Sequence, residues 1–266
     1  MSAVLPLPVL RYIEGHSDPR RIIAYNTKTW SVCLYVTAIY LLLVFQGRRW
    51  MKHRKPFKLR RPLFLWNVGL AVFSIFGTAA VLPSVLHSFY YYGVDYTVCF
   101  SDGPTIPRFA IWCYIFGLSK ILELGDTAFI VLRKGPLPFL HWYHHVTVLI
   151  YTIYGINDPN ALGAIFSGMN YFVHSLMYSY YALRANGIGV PRWAAQAITL
   201  LQLSQMFVGV FVTLRAFYND RSGHMPGCTV KDDVFFMATV MYFSYAVLFI
   251  HFFYKKYCGS RNTKSH

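Results

Sequence analysis

The chain contains seven stretches that are each long and apolar enough to cross a lipid bilayer as a helix. A hydrocarbon core about 30 Å thick needs roughly 20 mostly apolar residues, and 56% of the 266 residues are hydrophobic while only 13% are charged. The second stretch is long for one span, and we expect Pro83 to break or end it. The sequence therefore predicts an all-α integral membrane protein with seven transmembrane helices. They cover roughly 30–47, 62–92, 109–132, 139–156, 160–183, 193–218 and 233–254.

Basic residues predict how these spans are oriented. The segment 48–61 carries eight Lys or Arg and no acid. When it is placed in the cytoplasm, sixteen basic residues fall on the cytoplasmic side and seven on the other. The positive-inside rule then places the N-terminus in the lumen and the C-terminus in the cytoplasm. We expect a lumenal N-terminal segment (1–29), a seven-helix domain (30–254) and a cytoplasmic tail (255–266).

The formal charge of +15 follows from this topology and from attraction to anionic lipid. No soluble domain is predicted that could carry the charge, which argues against nucleic-acid binding.

Two cysteines, Cys99 and Cys228, fall in the longer loops on the non-cytoplasmic side. That side is oxidising if the membrane is that of the endoplasmic reticulum. The two residues either form a disulfide or remain as two free lumenal thiols.

Three histidines, His141, His144 and His145, lie at the start of the segment FLHWYHHVTVLIYTIYG. Their spacing of three and four residues places the rings on one face of a helix. Imidazole can act as a base, a nucleophile or a metal ligand. Because polar side chains inside a membrane segment are costly, this histidine box is a candidate functional site.

The third span contains Lys120, Glu123, Asp126 and Thr127. Spacings of three and four residues allow neighbours in this set to share a helix face. Charged groups in a span do not face lipid. They are either a structural ion pair between helices, or carboxylates that orient an imidazole or contact a substrate.

The fifth span carries a polar stripe of Asn170, His174, Tyr178 and Tyr181 at helical spacing. The sixth span adds Gln202 and Gln205. These side chains either line a site or simply hydrogen-bond neighbouring helices together.

Depth in the membrane brings these groups together. At 1.5 Å per residue from the cytoplasmic helix ends, His144 lies ~9 Å inside and Asp126 at a similar depth. His174 and Gln202 lie at ~15 Å by the same count. We therefore predict one polar chamber in the cytoplasmic half of the membrane.

Metal and acyl-transfer chemistry are the two interpretations of this chamber. A membrane di-iron centre needs roughly eight ligands, whereas only His141, His144, His145 and His174 occupy plausible positions. A single zinc ion on the box remains open. The box lies in the first turns of its helix, where the dipole disfavours imidazolium, and a neutral imidazole is a base and a nucleophile.

Four motifs together resemble those of the fatty-acid elongases of the endoplasmic reticulum: KILELGDT, HWYHH, MNYFVHSLMYSYY and TLLQLSQ. The resemblance covers nearly the whole chain and is closest to the protein 6 and protein 3 subgroup. It implies a very-long-chain 3-oxoacyl-CoA synthase, an acyltransferase that needs no cofactor. Such an enzyme condenses a saturated or monounsaturated long-chain acyl-CoA with malonyl-CoA, giving a chain two carbons longer, CO2 and CoA. Spans two to seven of the family enclose a narrow substrate tunnel.

The resemblance also implies residue roles. His144 would be the acylated nucleophile, held by His141, His145 and the carboxylates Glu123 and Asp126. His174 would assist malonyl decarboxylation or hold the second substrate. Substrate-contacting residues would be Thr127, Asn170, Tyr178, Tyr181, Gln202 and Gln205. Lys120, Arg133, Lys134 and Arg184 would contact the CoA phosphates at the mouth, because phosphates need cations.

The implied partners are the 3-oxoacyl-CoA reductase, 3-hydroxyacyl-CoA dehydratase and trans-2-enoyl-CoA reductase that complete the cycle, and other elongase subunits in a homo- or hetero-oligomer. A di-iron desaturase or hydroxylase is the enzymatic alternative. A seven-helix receptor or transporter is the non-enzymatic one, but it does not account for polar stripes at one depth.

Overall fold

A computed structural model describes residues 18–100, 106–157 and 161–258, and these ranges contain helices and no strand. Most of the expected N-terminal segment and tail lie outside the described residues. The helices are α1 (Pro19–Thr29), α2 (Val32–Met51), α3 (Arg60–Cys99), α4 (Ile106–Glu123), α5 (Gly125–Leu132), α6 (Phe139–Gly155), α7 (Ala161–Ala185), α8 (Arg192–Ser222) and α9 (Asp232–Phe253). A π-helical turn, Tyr254–Cys258, continues α9.

The outer surface of these helices is apolar, which confirms a membrane protein of the all-α class. Within the described ranges, four helices are long and apolar enough to cross a membrane: Val32–Met51, Arg60–Cys99, Arg192–Ser222 and Asp232–Tyr257. Large side chains such as Leu42 on α2 and Phe236 on α9 are exposed over 70% and 67% of their surface. Contiguous apolar surface of this kind is suited to lipid and is rarely exposed to water.

The second span departs from the prediction, because Pro83 does not break it. Helix α3 continues through Pro83, and its helical path is interrupted instead at Gly93, where φ is 80° and ψ is 179°. A proline removes one intrahelical hydrogen bond, and close packing can stabilise the helix despite that loss. Here a side-chain carbon added to Gly168 of α7 would lie 3.2 Å from Val81 Cγ1, so glycine allows α7 to pack tightly beside Pro83.

One core holds the helix bundle together. It includes Val81 of α3, Trp112 of α4, Tyr171 of α7, Val212 of α8 and Tyr242 of α9, all buried. Between helices in lipid, such side chains stabilise the bundle through close van der Waals packing.

Helices α1 and α2 contribute no buried residue to this core, although Ile22 of α1 packs against it. Helix α2 packs against α5 and α6. Helix α1 is fixed by Asn26, whose Nδ2 donates to the Ile153 carbonyl at 2.9 Å and to Asn157 Oδ1 at 2.7 Å. The residues before the first predicted span therefore include a docked helix.

The end of the bundle at which α3 terminates is cross-linked. A disulfide joins Cys99 to Cys228, with their Cα atoms 4.9 Å apart. One turn earlier, Asp95 accepts hydrogen bonds from Arg215 at 2.5 and 2.8 Å and from Asn219 at 3.0 Å. At this end, α3 is thus joined covalently to the segment between α8 and α9, and electrostatically to α8 itself.

Candidate active site

A cavity of about 870 Å³ lies among helices α3 to α9, and α2 supplies none of its lining residues. Its size is within the range of about 300–1,000 Å³ of small-molecule sites. It reaches the ends of α5, α7 and the π-helical turn, where Arg133, Arg184 and Lys256 line it. We call this end the mouth, and it is opposite the disulfide end of α3.

Most of the side chains predicted for the site line this one cavity. Helices α4 to α8 thus bring together residues separated by up to 82 positions in the sequence. The predicted residues in the lining are Glu123, Asp126, Arg133, His141, His144, His145, Asn170, His174, Tyr178, Tyr181, Arg184, Gln202 and Gln205. Lys120, Thr127 and Lys134 are not among the lining residues.

The histidine box occupies the first two turns of α6, which begins directly after Pro138 in an extended conformation. The ring of His145 lies 4.6 Å from that of His141 and 5.5 Å from that of His144. His145 is buried, and its Nδ1 has no hydrogen-bond partner among the described residues. The spacing seen in the sequence therefore does bring three imidazoles together.

The ring of His141 is held by a hydrogen-bond chain that begins in the first span. His141 Nε2 lies 3.0 Å from Thr127 Oγ1, and Thr127 Oγ1 lies 2.8 Å from the Tyr40 hydroxyl. Thr127 is fully buried. Thr127 was predicted to contact substrate, but it does not line the cavity. Its hydroxyl instead connects His141 to Tyr40 of α2.

The ring of His144 has a different environment. It lines the cavity and lies 5.0 Å from the ring of Tyr245, whose hydroxyl donates to the His144 carbonyl at 3.2 Å. Among the described residues, no hydrogen bond to either ring nitrogen of His144 is found. Its lone pair is therefore available to a molecule in the cavity.

Behind the box, Glu123 is held by neighbours other than the box histidines. Lys120 Nζ donates to Glu123 Oε1 at 2.7 Å and to Asn170 Oδ1 at 2.9 Å. Glu123 Oε2 lies 3.7 Å from His174 Nδ1. The prediction that Lys120 binds a phosphate at the mouth is wrong, because this lysine is 1% exposed and bonded inside the bundle.

Both oxygens of Asp126 are also hydrogen-bonded to residues outside the histidine box. It accepts hydrogen bonds from Trp66 Nε1 at 2.6 Å and from the Tyr178 hydroxyl at 2.7 Å. Gly125 makes room for this contact, since a Cβ there would lie 2.7 Å from the Trp66 ring. Neither carboxylate hydrogen-bonds to a box histidine in the described part of the chain, so the expectation that they hold the box is corrected. Trp66 was not singled out in the sequence, because a tryptophan in an apolar run carries no signal of its own.

The cations near the mouth have separate roles. Lys134 Nζ donates to the carbonyls of Lys52 and Arg54 at 3.2 and 3.0 Å, so it fastens loops together instead of lining the mouth. Arg133 and Arg184 do line it, as expected. Lys256 joins them, although the sequence assigned it to the tail. Lys256 lies four residues after Phe252, and its ammonium lies 5.0 Å from the centre of the Phe252 ring. This helical spacing was the signal in the sequence that the helix continues to Lys256.

The glutamines of α8 line the cavity in different ways. Gln202 Nε2 lies 3.2 Å from Met177 Sδ, a weak acceptor, so a stronger acceptor on a ligand can replace it. Gln205 is buried. Asn67, which the sequence analysis missed, also lines the cavity and donates to the Leu63 carbonyl at 2.7 Å. The only sequence signal for Asn67 is that it is a lone amide in an apolar run.

The described residues contain no group of three or more His, Cys, Asp or Glu side chains arranged to share one metal ion. That the protein needs no cofactor remains a prediction. The described residues offer instead two imidazoles without a hydrogen bond to the ring, the half-buried His144 and the buried His145, in a largely apolar cavity with cations at its mouth. This combination suits nucleophilic or basic chemistry on a long ligand with an anionic head.

Comparison with known proteins leads to the same conclusion. A sequence profile described as "ELO: GNS1/SUR4 family" matches residues 25–265. The chain is 44% identical over 252 residues to "Very long chain fatty acid elongase 6" of Gallus gallus, covering 95% of this chain and 94% of that protein. It is 44% identical over 249 residues to the human elongase 6, with 92% of each chain covered, and 40% identical over 231 residues to the human "Very long chain fatty acid elongase 3", covering 86% and 83%. These matches confirm the predicted family: the chain belongs to the GNS1/SUR4 family, of which these fatty acid elongases are relatives.

Proposed function

We propose that this chain is a very-long-chain 3-oxoacyl-CoA synthase acting on saturated or monounsaturated long-chain acyl-CoA. The enzyme condenses the acyl group with malonyl-CoA, giving a chain two carbons longer, CO2 and CoA. The relatives named elongase 6 and elongase 3 support this assignment. The cavity supports it chemically, since its walls are mostly apolar and its mouth carries the three cations Arg133, Arg184 and Lys256.

The observation that carries the mechanism is the environment of His144. His141 is bonded to Thr127, His174 to Asn170, and His145 is buried behind them. His144 and His145 both line the cavity without a hydrogen bond to the ring in the described part of the chain, and of the two His144 is the more exposed, whereas His145 is buried. A neutral imidazole with an available lone pair is a good nucleophile toward a thioester.

The reaction then proceeds in two steps without a cofactor. The His144 lone pair forms a C–N bond with the acyl carbon, the C–S bond breaks, and CoA leaves as a thiolate. Malonyl-CoA next loses CO2, and the electron pair of the broken C–C bond attacks the acyl-imidazole. The C–N bond breaks and His144 regains its lone pair. Asn170 and His174 hold the malonyl group in this scheme; a one-step condensation with His144 as the base is the alternative.

The cations at the mouth contact the CoA phosphates, and the bundle crosses the membrane of the endoplasmic reticulum seven times. The mouth faces the cytoplasm, which is the side on which the positive-inside rule places 48–61. The three remaining enzymes of the elongation cycle, two reductases and a dehydratase, take the product onward from this side.

The His144→Ala variant tests the mechanism. Purified protein given acyl-CoA without malonyl-CoA should release one CoA per active site and gain the mass of one acyl group. The variant should do neither, whereas His145→Ala, matched in size and adjacent in sequence, should retain a measurable adduct if it folds. Intact-mass analysis provides the measurement. Full acylation of the His144→Ala variant would exclude His144 as the nucleophile.

A further inference from the structure

Four buried side chains form a hydrogen-bonded group beside the cavity: Lys120, Glu123, Asn170 and His174, which we call the buried quartet. Their exposed fractions are 1%, 3%, 8% and 7%. Lys120 Nζ donates to Glu123 Oε1 at 2.7 Å and to Asn170 Oδ1 at 2.9 Å, and Asn170 Nδ2 lies 3.2 Å from His174 Nε2. Glu123 Oε2 lies 3.7 Å from His174 Nδ1 and has no hydrogen-bond partner among the described residues.

The direction of each hydrogen bond in the quartet follows from the lysine. An ammonium group has donors and no acceptor, so the atom of the Asn170 amide that faces Lys120 must be the oxygen. The amide nitrogen, which is only a donor, therefore faces His174 Nε2. That ring nitrogen must accept, and in a neutral imidazole the proton then resides on the other nitrogen. Nδ1, so protonated, faces the unpaired oxygen of Glu123.

The tautomer of His174 is thus assigned from the donors and acceptors around its ring. Either alternative would place two donors against each other. A His174 protonated on Nε2 would oppose the Asn170 N–H groups, and a flipped Asn170 amide would oppose the ammonium of Lys120.

We propose that Lys120 is a positioning residue that sets the tautomer of His174 through the amide of Asn170. This role deepens the proposed function on which it rests, because Asn170 and His174 line the cavity where malonyl-CoA is held. There the Nε2 lone pair of His174 accepts from the Asn170 amide and Nδ1–H faces Glu123, so both nitrogens of the ring are held in one arrangement. A histidine locked in the wrong tautomer loses its catalytic value even when its position is unchanged.

Solid-state NMR of 15N-histidine-labelled protein in lipid bilayers tests the tautomer directly, and the His174→Gln variant identifies the signal. The wild-type protein should show His174 with Nδ1 protonated and Nε2 unprotonated. Asn170→Asp replaces the donor that faces His174 with an acceptor, so the proton should move to Nε2. A wild-type signal from an Nε2-protonated ring would overturn the proposal before any variant is made.

Lys120→Met should release the constraint, giving a mixture of the two tautomers and a slower malonyl-dependent step by about 10- to 100-fold, the scale seen when a partner that orients an imidazole is removed. Because Lys120→Met leaves Glu123 buried without its cation, the double variant Lys120→Met/Glu123→Gln is measured beside it. Ser119→Ala is the matched control, since Ser119 also donates to Glu123 Oε1, at 3.2 Å, but is not bonded to Asn170. It should leave the tautomer unchanged.

The two half-reactions separate this inference from the proposed function. CoA release from acyl-CoA alone, which tests His144, should be unchanged in folded Lys120→Met protein, while the malonyl-dependent step slows. If the wild type forms no acyl adduct but shows the expected tautomer, the acyl-imidazole mechanism fails and the positioning role stands. If Lys120→Met and the double variant slow turnover while His174 keeps its wild-type tautomer, the lysine is merely structural and the inference is wrong.

Discussion

At the scale of single residues, burial and neighbours decide what each polar side chain can do. Lys120 and Lys256 carry the same ammonium group, yet Lys120 is 1% exposed and bonded to Glu123, whereas Lys256 lines the mouth. The first can only position other groups, and the second can meet an incoming anion. The sequence could not separate these roles for Lys120, because its partner Asn170 is fifty positions away.

Lys256 should contribute to the binding of CoA substrates. Lys256→Ala should raise the KM for malonyl-CoA by about fivefold with little change in kcat, because one exposed ion pair contributes on the order of 1 kcal/mol. The effect should shrink at high ionic strength, as exposed charges are screened. Lys255→Ala, which removes the adjacent charge outside the cavity lining, is the control. Equal KM values for Lys256→Ala and the wild type would show that Lys256 does not contribute to the binding of malonyl-CoA.

At the scale of helices, the sequence predicted their rough positions but not their number or their interruptions: seven spans were expected, and the described residues form nine α-helices, of which four are long and apolar enough to cross a membrane. Long apolar runs define a helix on their own, and α6 at Phe139–Gly155 matches the predicted 139–156. The helix continues through Pro83, where α7 packs closely against α3 at Gly168, and that packing could not be foreseen from local sequence. The interruption is at Gly93, whose φ of 80° favours glycine. Similarly, the third predicted span is two helices, α4 and α5, divided at Leu124.

Helix α2 does not line the cavity, but its Tyr40 is connected by hydrogen bonds to the cavity residue His141. The Tyr40 hydroxyl bonds Thr127, which bonds the ring of His141. Tyr40→Phe removes the hydroxyl alone and should lower kcat by roughly three- to tenfold, equivalent to one hydrogen bond of about 1 kcal/mol. The KM for acyl-CoA should not change, since α2 does not line the cavity.

A double-mutant cycle identifies the route of this effect. In a Thr127→Val background, Tyr40→Phe should have no further effect on kcat, because the chain to His141 is already broken. Tyr35→Phe on the same helix is the control, as Tyr35 is 70% exposed. Additive effects of Tyr40→Phe and Thr127→Val would show that the two residues act independently.

At the scale of the whole molecule, the bundle has one reactive end and one braced end. The mouth of the cavity and its cations lie where α5 and α7 terminate, and the Cys99–Cys228 disulfide fastens the end where α3 terminates. The covalent cross-link is therefore at the end of the bundle opposite the mouth of the cavity. The sequence placed both cysteines on one side of the membrane, but the Asp95 pairing beside them required the fold.

Asp95 should make the stability of the braced end depend on pH. It lies beyond the interruption at Gly93 and beyond the predicted second span (62–92), and its hydrogen bonds from Arg215 and Asn219 lower the pKa of its carboxyl to about 2. An unfolded aspartate has a pKa of about 3.9. The pairing therefore stabilises the folded state fully above about pH 4, and this stabilisation is lost as the pH falls through about 2.

Asp95→Asn should consequently lower the thermal unfolding midpoint by a constant amount from pH 8 to about pH 5, and the difference from wild type should narrow as the pH falls below about 4. Because His224 Nε2 lies 3.8 Å from Asp95 Oδ2, both proteins are measured in a His224→Gln background to remove that charge. Intrinsic fluorescence of detergent-solubilised, oxidised protein reports the midpoint. A difference that stayed constant down to pH 3 would mean that Asp95 contributes through packing, whereas a narrowing difference identifies its charge as the stabilising group.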